Sequence, residues 1–163
     1  MQTLLAEREI THALIRFARA MDERDWDVLR TILVDDATSD VGTGPLEGSE
    51  ALIACIRSYL DACGRTQHLL GNILVDVTGD EAVRKAYVSD MHLSADPDSE
   101  LTFATLGDYH DRWQRIDGTW RMVHRTKLNR GVVGSFAVFG MPDAGEHAAD
   151  GSADGSADGA LRA

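Results

Sequence analysis

Cysteine is nearly absent from this 163-residue chain. Cys55 and Cys63 stand eight positions apart without Cys-x-x-Cys spacing, which excludes a disulfide scaffold or a cysteine-rich metal knuckle. Both read as buried or idle thiols. Long apolar runs are missing too, since none approaches the ~20 residues that a membrane-spanning helix needs. Basic charge is in short supply. Sixteen Lys and Arg face 27 Asp and Glu, a formal net charge of −11, whereas a nucleic-acid partner demands a basic surface. A small neutral or weakly polar ligand is the better expectation. The N-terminus turns acidic and helical at once instead of forming a secretory signal, so the expected compartment is the cytoplasm. His68, His92, His110 and His124 lie on separate strand-like segments without His-x-His or His-Glu-x-x-His spacing, so no metal is expected. Gly42, Gly44 and Gly48 do not form a phosphate-cradling loop, and no Ser or Cys nucleophile motif occurs.

What is present is a clear change of texture part-way along the chain. Ile10, Leu14, Phe17, Ala18 and Met21 follow one helical face. Asp25 can N-cap a second short helix carrying Trp26, Leu29, Ile32 and Leu33. A short strand near 38–41 and a loop over 42–48 lead to a third helix after Gly48-Ser49, with Leu52, Ile53, Ile56, Tyr59 and Leu60 inward. From Thr66 onward the pattern is that of strands, over 67–77, 81–93, 101–116 and 119–129. Thr78-Gly79-Asp80 is a turn signal, and Asp117-Gly118 marks a two-residue hairpin. Helices followed by long antiparallel strands predict an α+β fold. A curved sheet wrapped over helices leaves a cone with an apolar interior, a natural pocket for a small molecule.

The domain is expected to span residues 1–141. Residues 142–163 form an acidic Gly/Ser/Ala/Asp tail with a direct repeat at 151–154 and 155–158, too poor in large apolar groups to offset its ordering entropy. In the stretch just before it, Val133, Phe136, Val138 and Phe139 could close the pocket or cover a neighbouring subunit.

Asp22 and His68 carry the chemistry. Asp22 is spaced i, i+3, i+7 with Ile15 and Ala18, which turns a carboxylate toward the apolar side and calls for a partner. His68 opens a strand. A carboxylate that orients an imidazole gives a general base near neutral pH, suited to taking a proton beside a carbonyl, hydroxyl or halide.

Three segments carry a family resemblance: Asp22-Glu23-Arg24-Asp25-Trp26-Asp27-Val28-Leu29, Arg65-Thr66-Gln67-His68 followed by Leu69-Leu70-Gly71, and Arg115-Ile116-Asp117-Gly118-Thr119-Trp120-Arg121. They resemble the SnoaL-like family of the nuclear-transport-factor-2-like superfamily. The motifs are most similar to those of scytalone dehydratases and more distantly to those of hexachlorocyclohexane dehydrochlorinases. The resemblance implies a cone-shaped α+β barrel, with N-terminal helices packed in the concave face of a curved, mostly antiparallel sheet. It also implies that Asp22 hydrogen-bonds His68 deep in the cavity. The histidine would take a proton from carbon while a leaving group departs from the adjacent carbon, with no cofactor. His92 falls near a second family histidine that handles water or the leaving oxygen.

The departures lie on the substrate side. Met21 and Val41 stand where scytalone dehydratases have tyrosines, and Gly107 and Tyr109 where they have a serine and an asparagine. Tyr87 and Tyr109 are replacement donors for substrate binding, and scytalone itself is not the expected substrate.

The remaining polar residues read as structural. Asp108, His110 and Arg112 alternate into an outer stripe, His124 shares a face with Met122 and Thr126, and Arg125 and Lys127 belong to a solvated face. Asp40 is a candidate second pocket carboxylate. The function expected is that of a lyase or isomerase on a mostly apolar, ring-sized molecule, in a homo-oligomer. The alternative is a non-catalytic binding or scaffold module like the small subunit of ring-hydroxylating dioxygenases. In a further version, as in ketosteroid isomerases, a carboxylate alone is the base and His68 is dispensable.

Overall fold

Helix α1 (Gln2–Glu23) buries Ile10, Leu14, Phe17, Ala18 and Met21, the stripe read from the sequence. The structure, a computed structural model, describes residues 1–142, so the tail lies outside the described residues from position 143 onward. At the end of α1 the chain turns through Arg24 in a left-handed conformation, φ 61°. Its guanidinium donates to the carbonyls of Met21 (2.8 Å), Leu60 (3.0 Å) and Gly64 (2.9 Å) and to the Thr66 hydroxyl (3.0 Å). One side chain thus fastens three segments of the chain to one another.

Asp25 N-caps α2 (Trp26–Ile32) through the Val28 amide. Leu33 is not helical; it begins β1 (Leu33–Asp40), longer than the strand expected at 38–41. The loop read at 42–48 contains a short strand, β2 (Pro45–Glu47), and α3 (Ser49–Leu60) follows. Then come β3 (Thr66–Thr78), β4 (Glu81–Leu93), β5 (Thr102–Ile116) and β6 (Thr119–Gly134).

The sheet order is β2-β1-β6-β5-β4-β3, antiparallel throughout except for the parallel β1–β6 pair. It is curved but unclosed, with β2 and β3 at its edges, and the helices pack against it to bury one core.

An irregularity in β6 decides what the sheet presents inward. Arg112 pairs with His124 but Trp113 with Met122, so Val123 is an extra residue. A bulge of this kind reverses the alternation of the strand. Trp120 and Met122 are buried before it, and Arg125 after it. The expected solvated face of Arg125 and Lys127 is therefore wrong. Arg125 is 2% exposed, and the Lys127 side chain is largely enclosed.

β6 ends at Gly134 with φ 97°, where an added Cβ would sit 2.0 Å from the Thr102 carbonyl oxygen. This glycine sets the path into a 3₁₀ turn, Phe136–Phe139, whose Phe139 is buried. Gly134→Ala combines an unfavourable φ with a backbone clash and is expected to cost about 1–3 kcal/mol. Denaturant unfolding checks this, and a cost within error of zero would mean the turn can take another path.

Candidate active site

The loop-to-strand junction at Thr66 brings β3 alongside the end of α1, which is what joins Asp22 and His68. His68 Nδ1 lies 2.7 Å from Asp22 Oδ1, and the His68 backbone amide donates to Asp22 Oδ2 at 3.0 Å. The Thr66 hydroxyl donates to Asp22 Oδ1 at 2.8 Å. Because Thr66 accepts from Arg24, its single proton is committed to the carboxylate. Burial pushes the Asp22 carboxyl up, but the bonds from the His68 ring and amide and from Thr66 outweigh it and hold it below the usual range. An ionised Asp22 calls for a proton on Nδ1, and in the neutral tautomer that satisfies it the lone pair is on Nε2.

This has a consequence for stability. A carboxyl whose folded value lies below its unfolded one contributes stability above the usual carboxylate range and loses it as pH falls through the folded value. The stability gap between the native protein and Asp22→Asn is expected to narrow as pH falls through and below that range. Unfolding curves across acid pH read it, and a gap independent of pH would exclude the linkage.

His68 borders a cavity of about 170 Å³, near the ~150 Å³ that holds one benzene-sized ring. Met21 and Val41, the candidate substrate-side residues, line it, as do His92 and Tyr109. Phe136 and Phe139 from the terminal turn also line it. Cys55 is a lining residue too, while Cys63 is buried beneath Arg24, and neither is disulfide-bonded.

His92 packs edge-on against His68, ring centroids 5.5 Å apart, and against Phe139 at 5.1 Å. Its Nδ1 donates to the Phe103 carbonyl at 3.1 Å. Burial is the main cause that pushes its pKa down.

Not every expected residue arrives. Tyr87 is 47% exposed on the outer sheet face, with Arg130 over its ring, and does not line the cavity. On a regular strand residues five apart face opposite ways, so Tyr87 and His92 cannot both point inward. Asp40 accepts from the Gly42 amide instead of entering the cavity. His124 hydrogen-bonds Thr38 and Thr126, away from it.

Sequence reasoning missed a charged inner wall. Asp90, 2% exposed, accepts from the Thr105 amide and hydroxyl, both at 2.8 Å, and from Lys127 Nζ at 2.6 Å. Burial raises the Asp90 carboxyl, but Lys127 and Thr105 outweigh it and hold it low. One step deeper, Asp111 bridges Arg84 and Arg125. The Arg125 guanidinium stacks over Tyr109 at 4.1 Å and Phe17 at 4.4 Å. Burial pushes the Tyr109 phenol up, so it is a neutral donor. Lys127, Thr105 and Arg125 all border the cavity.

The SnoaL-like domain family model matches residues 2–126. The chain belongs to the SnoaL-like family. A shared fold does not by itself fix a reaction, so the site must argue it. Among solved structures, this SnoaL-like protein is similar to a candidate scytalone dehydratase from Novosphingobium aromaticivorans DSM 12444, with TM-score 0.73, 19% identity, and coverage of 81% of this chain and 89% of that one. It is also similar to hexachlorocyclohexane dehydrochlorinase type 3 from Novosphingobium barchaimii LL02, with TM-score 0.71, 18% identity, and coverage of 81% and 91%. A Mycobacterium tuberculosis protein of unknown function gives TM-score 0.68, 20% identity, and coverage of 77% of each chain. No curated protein matches the chain. At these identities the likeness establishes the fold.

Proposed function

We propose that this SnoaL-like protein is a lyase or isomerase that takes a carbon-bound proton from a small, largely apolar ring molecule, with the Asp22–His68 dyad as base. The observation that carries the reading is the 2.7 Å contact between Asp22 and a cavity-lining His68. His68 Nε2 has no hydrogen-bond partner among the described residues, so its lone pair is available to a ligand.

In the proposed step Nε2 accepts the proton, and the C–H electron pair forms a double bond to the adjacent carbon. Either a leaving group departs from that carbon, or the double bond shifts and the imidazolium returns the proton elsewhere. Asp22 stabilises the imidazolium and fixes its tautomer. A departing hydroxide can take the same proton from His68 and leave as water. With Nδ1 donating to Phe103 and burial disfavouring its cation, His92 presents an acceptor at Nε2. Its proposed role is to position a hydroxyl or water, not to protonate the leaving group.

The similar structures described as a dehydratase and a dehydrochlorinase perform eliminations by name, which supports this class. The proposed chemistry uses the chain's own groups and requires no cofactor. Among the described residues no helix is long and apolar enough to cross a membrane. The outer sheet face exposes Leu69, Leu74, Leu106 and Val133, the surface that the proposed homo-oligomer would bury.

The test is solvent isotope incorporation. Ring compounds with an acidic C–H next to a carbon bearing hydroxyl or halide, and cyclic enones, are incubated with the protein in D₂O and followed by NMR. Deuterium uptake or elimination above the buffer rate is expected for at least one compound class. Background rates across the panel would count for the binding-module reading.

A further inference from the structure

Tyr109 is 4% exposed and lines the cavity, and its hydroxyl has no hydrogen-bond partner among the described residues. The hydroxyl is not one of the fully enclosed unpartnered polar atoms, so it opens on the cavity and can donate to a ligand that arrives there. Its cross-strand neighbour in the β5–β6 register is Lys127. A lysine ammonium can donate three hydrogen bonds, and among the described residues Lys127 gives one, to Asp90. Thr105 offers no competing donor, because its hydroxyl proton is given to Asp90.

Charge count alone does not set the ligand's sign. Among the described residues Arg84, Arg125 and Lys127 face Asp90 and Asp111 on the sheet, and the ionised Asp22 across the cavity brings the balance to neutral. Global acidity suggested a neutral ligand. What favours an anionic one is local: Lys127 and Tyr109 bring adjacent donors to one spot on the cavity wall, whereas Asp22 is committed to His68 and Thr66.

We infer that Tyr109 and Lys127 form an oxyanion subsite that takes a ring-borne carboxylate or phenolate. The phenol and the ammonium donate to the ligand oxygen, Asp90 holds the ammonium in place, and Arg125 stacked on the Tyr109 ring fixes the phenol. The inference rests on the proposed reading for the ligand's seat in the cavity, but it concerns binding and does not depend on turnover.

Binding of benzoate and 4-nitrophenolate is compared with that of their neutral counterparts, benzamide and nitrobenzene, by calorimetry at mildly alkaline pH. At least one anion is expected to bind about tenfold or more tightly than its neutral counterpart. Which anion does so distinguishes carboxylate from phenolate. Tyr109→Phe is expected to lose about tenfold on that anion only, with a melting temperature close to the native one, because the hydroxyl makes no hydrogen bond among the described residues. The paired change Asp90→Asn with Lys127→Met avoids stranding a buried charge and is expected to abolish the preference. Equal affinity for anion and neutral counterpart, no binding of either anion at millimolar concentration, or an unchanged anion affinity in Tyr109→Phe would each overturn the subsite. His68→Ala keeps the preference if the subsite is right. Loss of deuterium uptake with the preference intact therefore counts only against other sources of the base, and uptake without the preference counts only against the subsite.

Discussion

His68→Ala and Asp22→Asn each lower the isotope-exchange or elimination rate by about 10²-fold or more, with the folded state retained. The two variants fail for different reasons. Alanine at 68 removes the lone pair that receives the proton. Asparagine at 22 can still accept from the ring Nδ1–H, but it withdraws the negative charge that stabilises the imidazolium. It also turns an amine toward either the Thr66 hydroxyl or the His68 amide, both of which donate. Asp22→Asn should therefore lose some stability as well as rate, about 1–3 kcal/mol for a mismatched buried polar group. Melting curves separate that loss from the catalytic one. The comparison also decides between mechanisms. If Asp22→Asn is inactive while His68→Ala retains near-native exchange, the carboxylate alone is the base. Near-native rates in both variants would rule out the dyad.

The Asp22–His68 contact was legible through the family resemblance, which implied that the two share a cavity. Helical phase left Asp22 only as a carboxylate beside an apolar stripe, and His68 only as a histidine opening a strand. Helix α3 and the hairpin at Asp117-Gly118 were open to pattern, since both depend on local periodicity and turn chemistry. The inner wall was not, for two physical reasons. The first is the extra residue Val123, which reverses the facing of Arg125 and Lys127 without any mark in the hydrophobic pattern. The second lies in β4. Its more apolar face, with Val83, Tyr87, Met91 and Leu93, is the exposed one, whereas Arg84, Asp90 and His92 are buried between Ala82, Ala86 and Val88. Burial there is governed by the partners waiting across the sheet, Asp111 and Lys127, which no local window contains. The small residues Ala82 and Ala86 were the available hint, since small side chains mark the side that a packed helix approaches. Taking His92 as inward should also have excluded Tyr87.

Those buried charges make Asp111 the position where a single substitution costs most in stability. The β-sheet register sets Arg84, Asp111 and Arg125 in one cross-strand row, so the carboxylate stands between two guanidiniums. Asp111 is 1% exposed, and Arg125 reaches it through two bonds, Nε at 2.9 Å and Nη2 at 2.8 Å. Burial by itself would drive the Asp111 carboxyl up, yet the two arginines hold it low, so it is ionised. Asp111→Asn leaves both arginines enclosed without a counter-charge. Arginine cannot escape by deprotonation. Two atoms of Arg84, Nε and Nη1, already lack partners among the described residues, so there is no slack on that side of the row. The expected loss is about 3–5 kcal/mol, a large share of the 5–15 kcal/mol that holds a typical domain together. Denaturant unfolding measures it. Replacing the whole row with apolar residues of similar volume, Arg84→Met, Asp111→Leu and Arg125→Met, should recover most of the loss, because the cost comes from stranded charge and not from the absence of the pair. Glu50→Gln provides the contrast. It breaks the exposed bridge to Arg30, where water screens the charges, and should leave the melting temperature nearly unmoved. If Asp111→Asn behaved like Glu50→Gln, water would have to reach the row and solvate the two arginines, and the row would not be enclosed as its burial implies.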